Sequence, residues 1–328
     1  MVVSFEELKL ELKNVLLAQG FAEPKAELCA NIFAGNTRDG VHSHGINRFP
    51  VFIDYIKQKL LDINAEPTVD HSSGSIENWN GNLAPGMYVA TKAMDRAIQI
   101  AKQNGLGLVA VRNTNHWMRG GTYGWQAADN GCIAICGTNA IANMPPWGGK
   151  EPRLGNNPLV IAVPRSEGHI VLDMAMSQYS YGKLNEYKMK GAELPLEGGY
   201  DENGKLSKNP SAIISTQRTL PIGYWKGSGL SLLIDILVSA LSGGRSVKEI
   251  TEQGSETGVS QFFLCISPEK VDETIINNIL AYAKTSAPVE EGSSIKYPGE
   301  QSRSSRLKSE SEGIEVNDEI WSRVIALK

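Results

Sequence analysis

The apolar residues of "SFEELKLELKNVLLAQG" recur at helical spacing, and they predict a helix that ends near Gln19. Ser4, followed three residues later by Glu7, is typical of a capping box at the start of that helix. A second helix is predicted between about Pro24 and Asp39, and a third in "NRFPVFIDYIKQKLL". The chain therefore begins with three helices, and the segment "RDGVHSHGINRFP" separates the second helix from the third.

After residue 67, continuous apolar runs alternate with amphipathic segments. Helices are predicted in "GMYVATKAMDRAIQIAKQNG", "GTYGWQAADNG" and "VDETIINNILAYAKTSA". Strands are predicted in "GSIENWNG", "LGLVAVRN", "CIAICGTN", "NPLVIAVPR", "HIVLDMAMS" and "VSQFFLCIS". The fourth and fifth of these strands are joined by a short polar turn, which predicts an antiparallel pair. Alternation of this kind is typical of an α/β fold whose sheet is covered on its faces.

Three further segments complete the pattern. Residues 185–221 are rich in Gly, Pro, Lys and Asn and are predicted to be a loop. "GSGLSLLIDILVSALSGG" is hydrophobic nearly all round, which predicts a central, buried helix. "EEGSSIKYPGEQSRSSR" is predicted to be an exposed polar stretch. We interpret residues 1–66 as a helical N-terminal region and residues 67–328 as an α/β region of one continuous module.

The composition of the chain argues against several classes of protein. Of the 328 residues, 41% are hydrophobic and 21% are charged, as in a soluble globular protein, and the formal net charge of −4 gives no reason to expect a nucleic acid or a membrane as partner. No apolar run approaches the roughly 20 residues that span a bilayer, and the N-terminus lacks the pattern of a signal peptide. The four sparse cysteines favour buried free thiols, so we expect a cytoplasmic protein.

The common nucleotide and hydrolase motifs are absent from the sequence. No G-x-G-x-x-G follows a strand, and G-x-x-x-x-G-K-[ST], H-E-x-x-H and G-x-S-x-G do not occur. No set of residues is spaced as metal ligands, so we expect no metal. Any nucleotide would bind in some way other than that of the Rossmann fold.

The segment "VHSHGINR" carries the first candidate chemistry. His44 precedes Arg48 by four residues, across the start of the third helix. Imidazole exchanges protons near neutral pH, and guanidinium is a good partner for a carboxylate. The pair can hold a small carboxylic acid and protonate one of its oxygens. The alternative is that the histidines cap helix ends and that Arg48 is a surface residue.

Three later segments offer polar groups beside predicted strands or helices. "RNTNHWMRGGTYGW" places His116, Gly120 and Gly121 between a strand and a helix, where α/β folds place ligands, although a polar turn explains it equally well. Asp173 interrupts an apolar strand end, which makes it a hydrogen-bonding hub or a ribose ligand. Lys226 precedes an apolar helix and could meet a phosphate there, or could be its solvated end.

Taken together, six motifs occur in one order: "SHG-x-x-R", "NHW", "GNNPL", "LDMAMS", "KG-x-GL" and "PGE". In this order they resemble the malate/L-lactate dehydrogenase family, whose fold is not of the Rossmann type. The resemblance runs nearly from end to end of the chain. The longer segments "NRFPVFI", "NHWMRGGTYGWQAADNG", "MPPWGGKE" and "LPIGYWKGSG" look closest to a member that reduces a sugar-derived diketo acid.

The resemblance implies a mixed-sheet, non-Rossmann, NAD(P)-binding fold and an NAD(P)H-dependent reductase of a small 2-oxo acid that works as a homodimer. His44 matches the family's proton donor, whereas in one member the acid/base role belongs to the histidine that matches His116. Arg48 matches the arginine that binds the substrate carboxylate. The residues matching cofactor-contacting segments are Asp173, Met174, Ala175, Trp225, Lys226, Gly299, Glu300 and Gln301.

The resemblance leaves some alternatives open. We expect NADH as the cofactor, but Arg303 and Arg306, close to a cofactor segment, leave NADPH possible. The substrate could instead be that of a malate, lactate or ureidoglycolate dehydrogenase with the same residues. The chain could also be a binding protein that has lost catalysis, although intact His44, Arg48 and His116 argue against that reading.

Overall fold

The computed structural model describes residues 1–269 and 271–328. The helices of this part of the chain are α1 (Phe5–Ala18), α2 (Glu23–Arg38), α3 (Phe49–Lys57), α4 (Gly86–Asn104), α5 (Gly121–Asp129), α6 (Tyr181–Met189), α7 (Pro210–Thr216), α8 (Trp225–Ser242), α9 (Val247–Glu252), α10 (Glu273–Lys284), α11 (Glu300–Glu312) and α12 (Asp318–Ile325). The strands are β1 (Val2–Val3), β2 (Thr68–Ser73), β3 (Ile76–Asn80), β4 (Leu106–Asn115), β5 (Ile133–Thr138), β6 (Leu159–Val163), β7 (Ile170–Met174), β8 (Gly199–Tyr200), β9 (Leu206–Ser207), β10 (Thr257–Ile266) and β11 (Ile314–Glu315).

A seven-stranded sheet with the order β2-β3-β4-β10-β5-β6-β7 forms the centre of the molecule. Its β3–β4 pair is parallel and its other pairs are antiparallel, so the sheet is mixed as predicted. The antiparallel pairing of β6 with β7 is also confirmed. Helices α4 and α5 pack on the sheet, and α8 packs near β10. The strand β2 was not predicted, because this exposed edge strand carries no apolar pattern.

The three predicted N-terminal helices are confirmed as α1, α2 and α3. Ser4 caps α1 by accepting a hydrogen bond from the Glu7 N–H (3.1 Å). These helices share a hydrophobic core with the C-terminal helix α12, and β1 pairs with β11, so the two ends of the chain meet. The four cysteines are free and buried, as predicted. The boundary proposed at residue 66 stays a prediction.

The helix α8 is not the buried central helix that its composition predicted. Ile234 and Val238 are buried beside the sheet, whereas Leu233 (54% exposed), Ile236 (52%) and Leu237 (48%) face outward. Because apolar residues surround this helix, their period could not show which face packs inward. By length and composition α8 could also cross a membrane, contrary to the run-length expectation, yet only a third of it is buried and that part packs on the sheet.

Two other predictions need correction. The segment 185–221 is not only loop: it contains the end of α6, the hairpin β8–β9 and α7 around a small core of Leu184, Leu194 and Ile213. The polar stretch near residue 300 contains the helix α11, which has no buried residue and therefore showed no apolar period.

Candidate active site

The segment between α2 and α3 forms two short 3-10 turns, His42–His44 and Ile46–Arg48, as the predicted helix break required. Gly45 joins them and packs so closely on Thr37 that a Cβ atom would lie 2.3 Å from the threonine Oγ1. The Asn36 side chain donates a hydrogen bond to the His44 carbonyl (2.9 Å). These contacts fix the backbone that presents the His44 ring.

His116 follows the last residue of β4, and its ring lies beside that of His44. The ring centroids are 5.8 Å apart, and the planes differ by 17°. The main-chain N–H of Met118 donates to His116 Nδ1 (3.0 Å). Because a main-chain N–H can only donate, the neutral His116 ring carries its proton on Nε2. The Nδ1 of His44 instead faces the Ser43 hydroxyl (3.0 Å), which can donate or accept.

Both imidazoles are held in the neutral state in the free protein. Burial lowers the pKa of His44 to about 3, and the nearby His116, Arg48 and Arg119 add to that effect. Burial and the Arg48 charge likewise lower the pKa of His116 to about 3. Each ring keeps a partly exposed surface, because both line a cavity. Burial and the neighbouring positive charge of Arg48 thus both disfavour protonation of the two rings.

That cavity has a volume of about 230 Å³. Of the predicted site residues, His44, His116, Asp173 and Ala175 line it. The lining also includes Ser43, Arg119 and Glu256, which were not predicted to be functional. Ser43 and Arg119 lie inside motifs that the sequence singled out, whereas nothing in the sequence around Glu256 distinguished it.

Arg48 is not among the residues that line this cavity. It lines a second cavity of about 20 Å³ that His116, Tyr55 and Met118 also line. Its Nη2 atom is 3.8 Å from Glu256 Oε2, with side-chain exposures of 32% and 15%. The charge of Arg48 lowers the pKa of both His44 and His116, so all three side chains lie close together. The structure therefore brings the predicted pair of His44 and Arg48 together, with His116 beside both.

Asp173 ends β7 and accepts a hydrogen bond from the Gly121 N–H (2.7 Å) at the start of α5. A Cβ atom at Gly121 would lie 3.0 Å from the Asp173 Oδ2, so a glycine suits this contact. The Asp173 side chain faces the cavity, but the surrounding protein atoms remove much of the water from its carboxyl group. This desolvation raises the pKa of Asp173, whereas Arg119 and the Gly121 N–H act against the rise. Within the described residues the Asp173 side chain accepts this one hydrogen bond, and both predicted roles, hydrogen-bonding hub and ribose ligand, stay predictions.

The other predicted cofactor residues do not line the cavity. Met174 points to the opposite face of the sheet from Asp173 and packs near α8. Trp225 and Lys226 begin α8 and are exposed. Gly299 packs on the backbone of β7, where a Cβ atom would lie 3.0 Å from the Val171 nitrogen.

The two remaining predicted cofactor residues lie at the start of α11. Glu300 pairs with Lys284 (2.6 Å), and Gln301 accepts a hydrogen bond from Lys296. Both are therefore engaged in contacts on the surface of the molecule.

A buried charge cluster centred on Asp39 joins α2 to the cavity wall. Asp39 accepts hydrogen bonds from Arg119 (2.9 Å) and from both Nε and Nη2 of Arg306 (2.8 and 2.7 Å). Burial acts to raise the pKa of Asp39, but the hydrogen bond from Arg306 and the charges of Arg119, Arg306 and Arg38 outweigh it and lower the pKa. The cluster fixes Arg119 at the cavity and occupies Arg306.

The sequence matches one known protein family along nearly all of its length. Residues 3–325 match the family model described as malate/L-lactate dehydrogenase. Over 333 aligned residues, covering all of both chains, the protein is 46% identical to the 2,3-diketo-L-gulonate reductase of Citrobacter koseri and 44% identical to that of Escherichia coli O127:H6.

Solved structures show the same fold. Malate dehydrogenase from Entamoeba histolytica is 27% identical, with a TM-score of 0.94 over 100% of this chain and 97% of that one. Sulfolactate dehydrogenase from Methanocaldococcus jannaschii is 30% identical, with a TM-score of 0.89 over 100% of this chain and 96% of that one.

Proposed function

Since this chain belongs to the malate/L-lactate dehydrogenase family and is an oxidoreductase, we propose that it reduces 2,3-diketo-L-gulonate to 3-dehydro-L-gulonate with NADH. The full-length relatives with 44–46% identity support a 2-oxo acid reductase, and the activity in their names supports this substrate. The observation that carries the proposal is the pair of stacked imidazoles, His44 and His116, in one cavity beside Arg48.

The lining of the cavity fits the nicotinamide end of the cofactor. Pro158, Ala175 and Met118 offer apolar surface to a flat ring, and Asn156 and Asp173 offer hydrogen-bonding groups to its carboxamide. We propose that Asp173, Met174 and Ala175 hold this end of the cofactor. The segments with Trp225, Lys226, Gly299, Glu300 and Gln301 would hold the rest around β7. When bound, the nicotinamide supplies the hydride.

We propose that His44 gives a proton to the oxygen formed at C2 of the substrate. A ring that donates this proton must carry a second proton beforehand. Protonated His116 would lose its bond from the Met118 N–H, because two donors would then face each other. The Ser43 hydroxyl can rotate and accept from His44 Nδ1. The cost of charging the ring is therefore lower at His44, and His116 is left to orient the oxygen through Nε2–H.

Arg48 is proposed to bind the substrate carboxylate. Among residues 1–269 and 271–328, its guanidinium is held only by a long ion pair with Glu256, so donors remain for an anion. A carboxylate placed here would also offset the positive charge that lowers the pKa of both histidines. Substrate binding would thereby raise the pKa of His44 toward the range in which it can act as an acid.

The arginines that left NADPH open are engaged elsewhere. Arg306 is bonded to Asp39 through two nitrogens and lies over the Trp125 ring, with 4.9 Å between the guanidinium carbon and the centroid. Arg303 donates a hydrogen bond to the Glu167 carbonyl. Since the Arg306 guanidinium is committed to Asp39, we propose a preference for NADH.

We propose that the protein is a cytoplasmic homodimer. The apolar face of α8, including Leu233, Ile236 and Leu237, is about half exposed, and such patches mark contact surfaces. A second copy of the chain would cover this face without an added partner. The four free cysteines are consistent with a reducing compartment.

A panel of 2-oxo acids with NADH and NADPH tests the proposed function. Purified protein is expected to consume NADH faster with 2,3-diketo-L-gulonate than with oxaloacetate or pyruvate, and faster than it consumes NADPH. A higher kcat/KM with oxaloacetate or pyruvate would indicate instead that the protein is a malate or a lactate dehydrogenase. No reduction of any 2-oxo acid would reject it.

A further inference from the structure

Glu256 is a carboxyl group in the cavity wall that the proposed chemistry does not use. It immediately precedes β10, whose first residue, Thr257, pairs with Asn115 at the end of β4. One step beyond this pair, the next residues of the two antiparallel segments are Glu256 and His116. The sheet register therefore places Glu256 beside His116, and both side chains line the cavity.

The Glu256 carboxyl is only loosely satisfied by the protein. Its Oε1 accepts a long hydrogen bond from the Ile141 N–H (3.4 Å), and its Oε2 is 3.8 Å from Arg48, beyond hydrogen-bond distance. Within residues 1–269 and 271–328, no side chain donates a hydrogen bond to it. Its side chain is 15% exposed, so water satisfies it only in part. A buried carboxyl normally has more partners than this, which leaves capacity for a ligand.

We propose that Glu256 determines specificity by binding a hydroxyl of a hydroxylated 2-oxo acid; this inference rests on the proposed function. A sugar-acid hydroxyl can donate to the Glu256 carboxyl while the substrate carboxylate occupies Arg48. An alkyl group at the same place would leave the carboxyl unsatisfied. A second carboxylate, as in oxaloacetate, would meet like charge.

Burial raises the pKa of the Glu256 carboxyl, although Arg48 and the Ile141 N–H act against this rise. A hydrogen bond from a substrate hydroxyl would replace part of the solvation that burial removes from this carboxyl.

The test compares kcat/KM for 2,3-diketo-L-gulonate with kcat/KM for 2-oxobutanoate, which has no hydroxyl. We expect Glu256→Ala to lower the ratio of the two values by at least about tenfold, mainly through KM for the hydroxylated acid. Glu256→Gln, which has nearly the same shape and can still accept, is expected to keep more of the ratio than Glu256→Ala. Glu252→Gln, at an exposed position on α9, is the matched control and should leave the ratio unchanged.

A purely structural role of Glu256 in holding Arg48 would lower both values by the same factor and leave the ratio at its wild-type value. That result would overturn the proposal while leaving the proposed function intact. If the wild-type protein reduces neither acid, the proposed function fails as well. Thermal melts of each variant serve as the control that a lowered ratio of kcat/KM values does not result from misfolding.

Discussion

His44 and His116 stack in the cavity wall with 5.8 Å between their ring centroids and 17° between their planes. Two imidazoles at this distance resist carrying charge together, and each already has a lowered pKa. Their different Nδ1 partners, the Ser43 hydroxyl and the Met118 N–H, distinguish the two rings. This difference makes His44 the ring that can be charged at the lower cost.

Ser43→Ala is expected to lower kcat about tenfold, because a charge-assisted hydrogen bond to His44 is lost. Without an acceptor at Nδ1, the pKa of His44 in the complex falls further. Since the protonated ring is the active form, the alkaline limb of the kcat profile should move to lower pH. Ser43→Thr keeps the hydroxyl and is the control. An unchanged pH profile for Ser43→Ala would contradict the role of Ser43.

Binding of an anionic substrate analogue should be coupled to proton uptake. In the free protein the pKa of His44 is about 3, and the negative charge of a bound carboxylate raises it. Calorimetric titration of the NADH complex with oxamate, in two buffers of different ionisation enthalpy, measures the uptake. His44→Gln should abolish most of it. Equal binding enthalpies in both buffers for the wild type would show that no proton is taken up.

Stability should fall in acid partly because of these histidines. Their pKa is about 3 when folded and 6.5 when unfolded, so the unfolded chain binds more protons below pH 6.5. Their stabilising contribution is present above pH 6.5 and is lost as the pH falls toward 3. Between pH 7.5 and 5.5 each histidine accounts for roughly 1 kcal/mol. We therefore expect the free energy of unfolding, measured with urea, to fall less between pH 7.5 and 5.5 in the double variant His44→Gln/His116→Asn than in the wild type. An equal fall in both proteins would contradict this prediction.

Asp39→Ala should destabilise the fold by about 3–5 kcal/mol, because it leaves Arg119 and Arg306 buried without their shared partner. Glu310→Ala, which removes an exposed partner of Arg38 at 3.6 Å, should cost less than about 1 kcal/mol. Denaturant unfolding of both variants measures the difference. Similar small losses for the two variants would indicate that the Asp39 cluster does not stabilise the fold.

Local signals predicted much of the architecture, because helix caps and strand runs are read from neighbouring residues. Ser4 caps the first helix, and Gly105 ends α4 in the left-handed conformation that glycine adopts easily. The packing face of α8 and the helix α11 were not predictable, since an evenly apolar helix and an evenly polar helix show no period.

The candidate site was predictable only in part. His44 and His116 stand in recognisable motifs, whereas Glu256 reaches the cavity because β10 pairs with β4, a contact between distant parts of the chain. The pairing of β1 with β11 was missed for the same reason. Local sequence carries no signal for such long-range contacts, so residues that depend on them were found only in the structure.

The central claim is that His44, and not His116, donates the proton. The most direct measurement is kcat for 2,3-diketo-L-gulonate reduction at saturating NADH in His44→Ala and His116→Asn, side by side with the wild type. We predict that His44→Ala lowers kcat by about 10²- to 10⁴-fold, as expected for a lost general acid. His116→Asn, which removes an orienting hydrogen bond, should lower it by no more than about tenfold. Wild-type turnover in His44→Ala with a large loss in His116→Asn would contradict the claim.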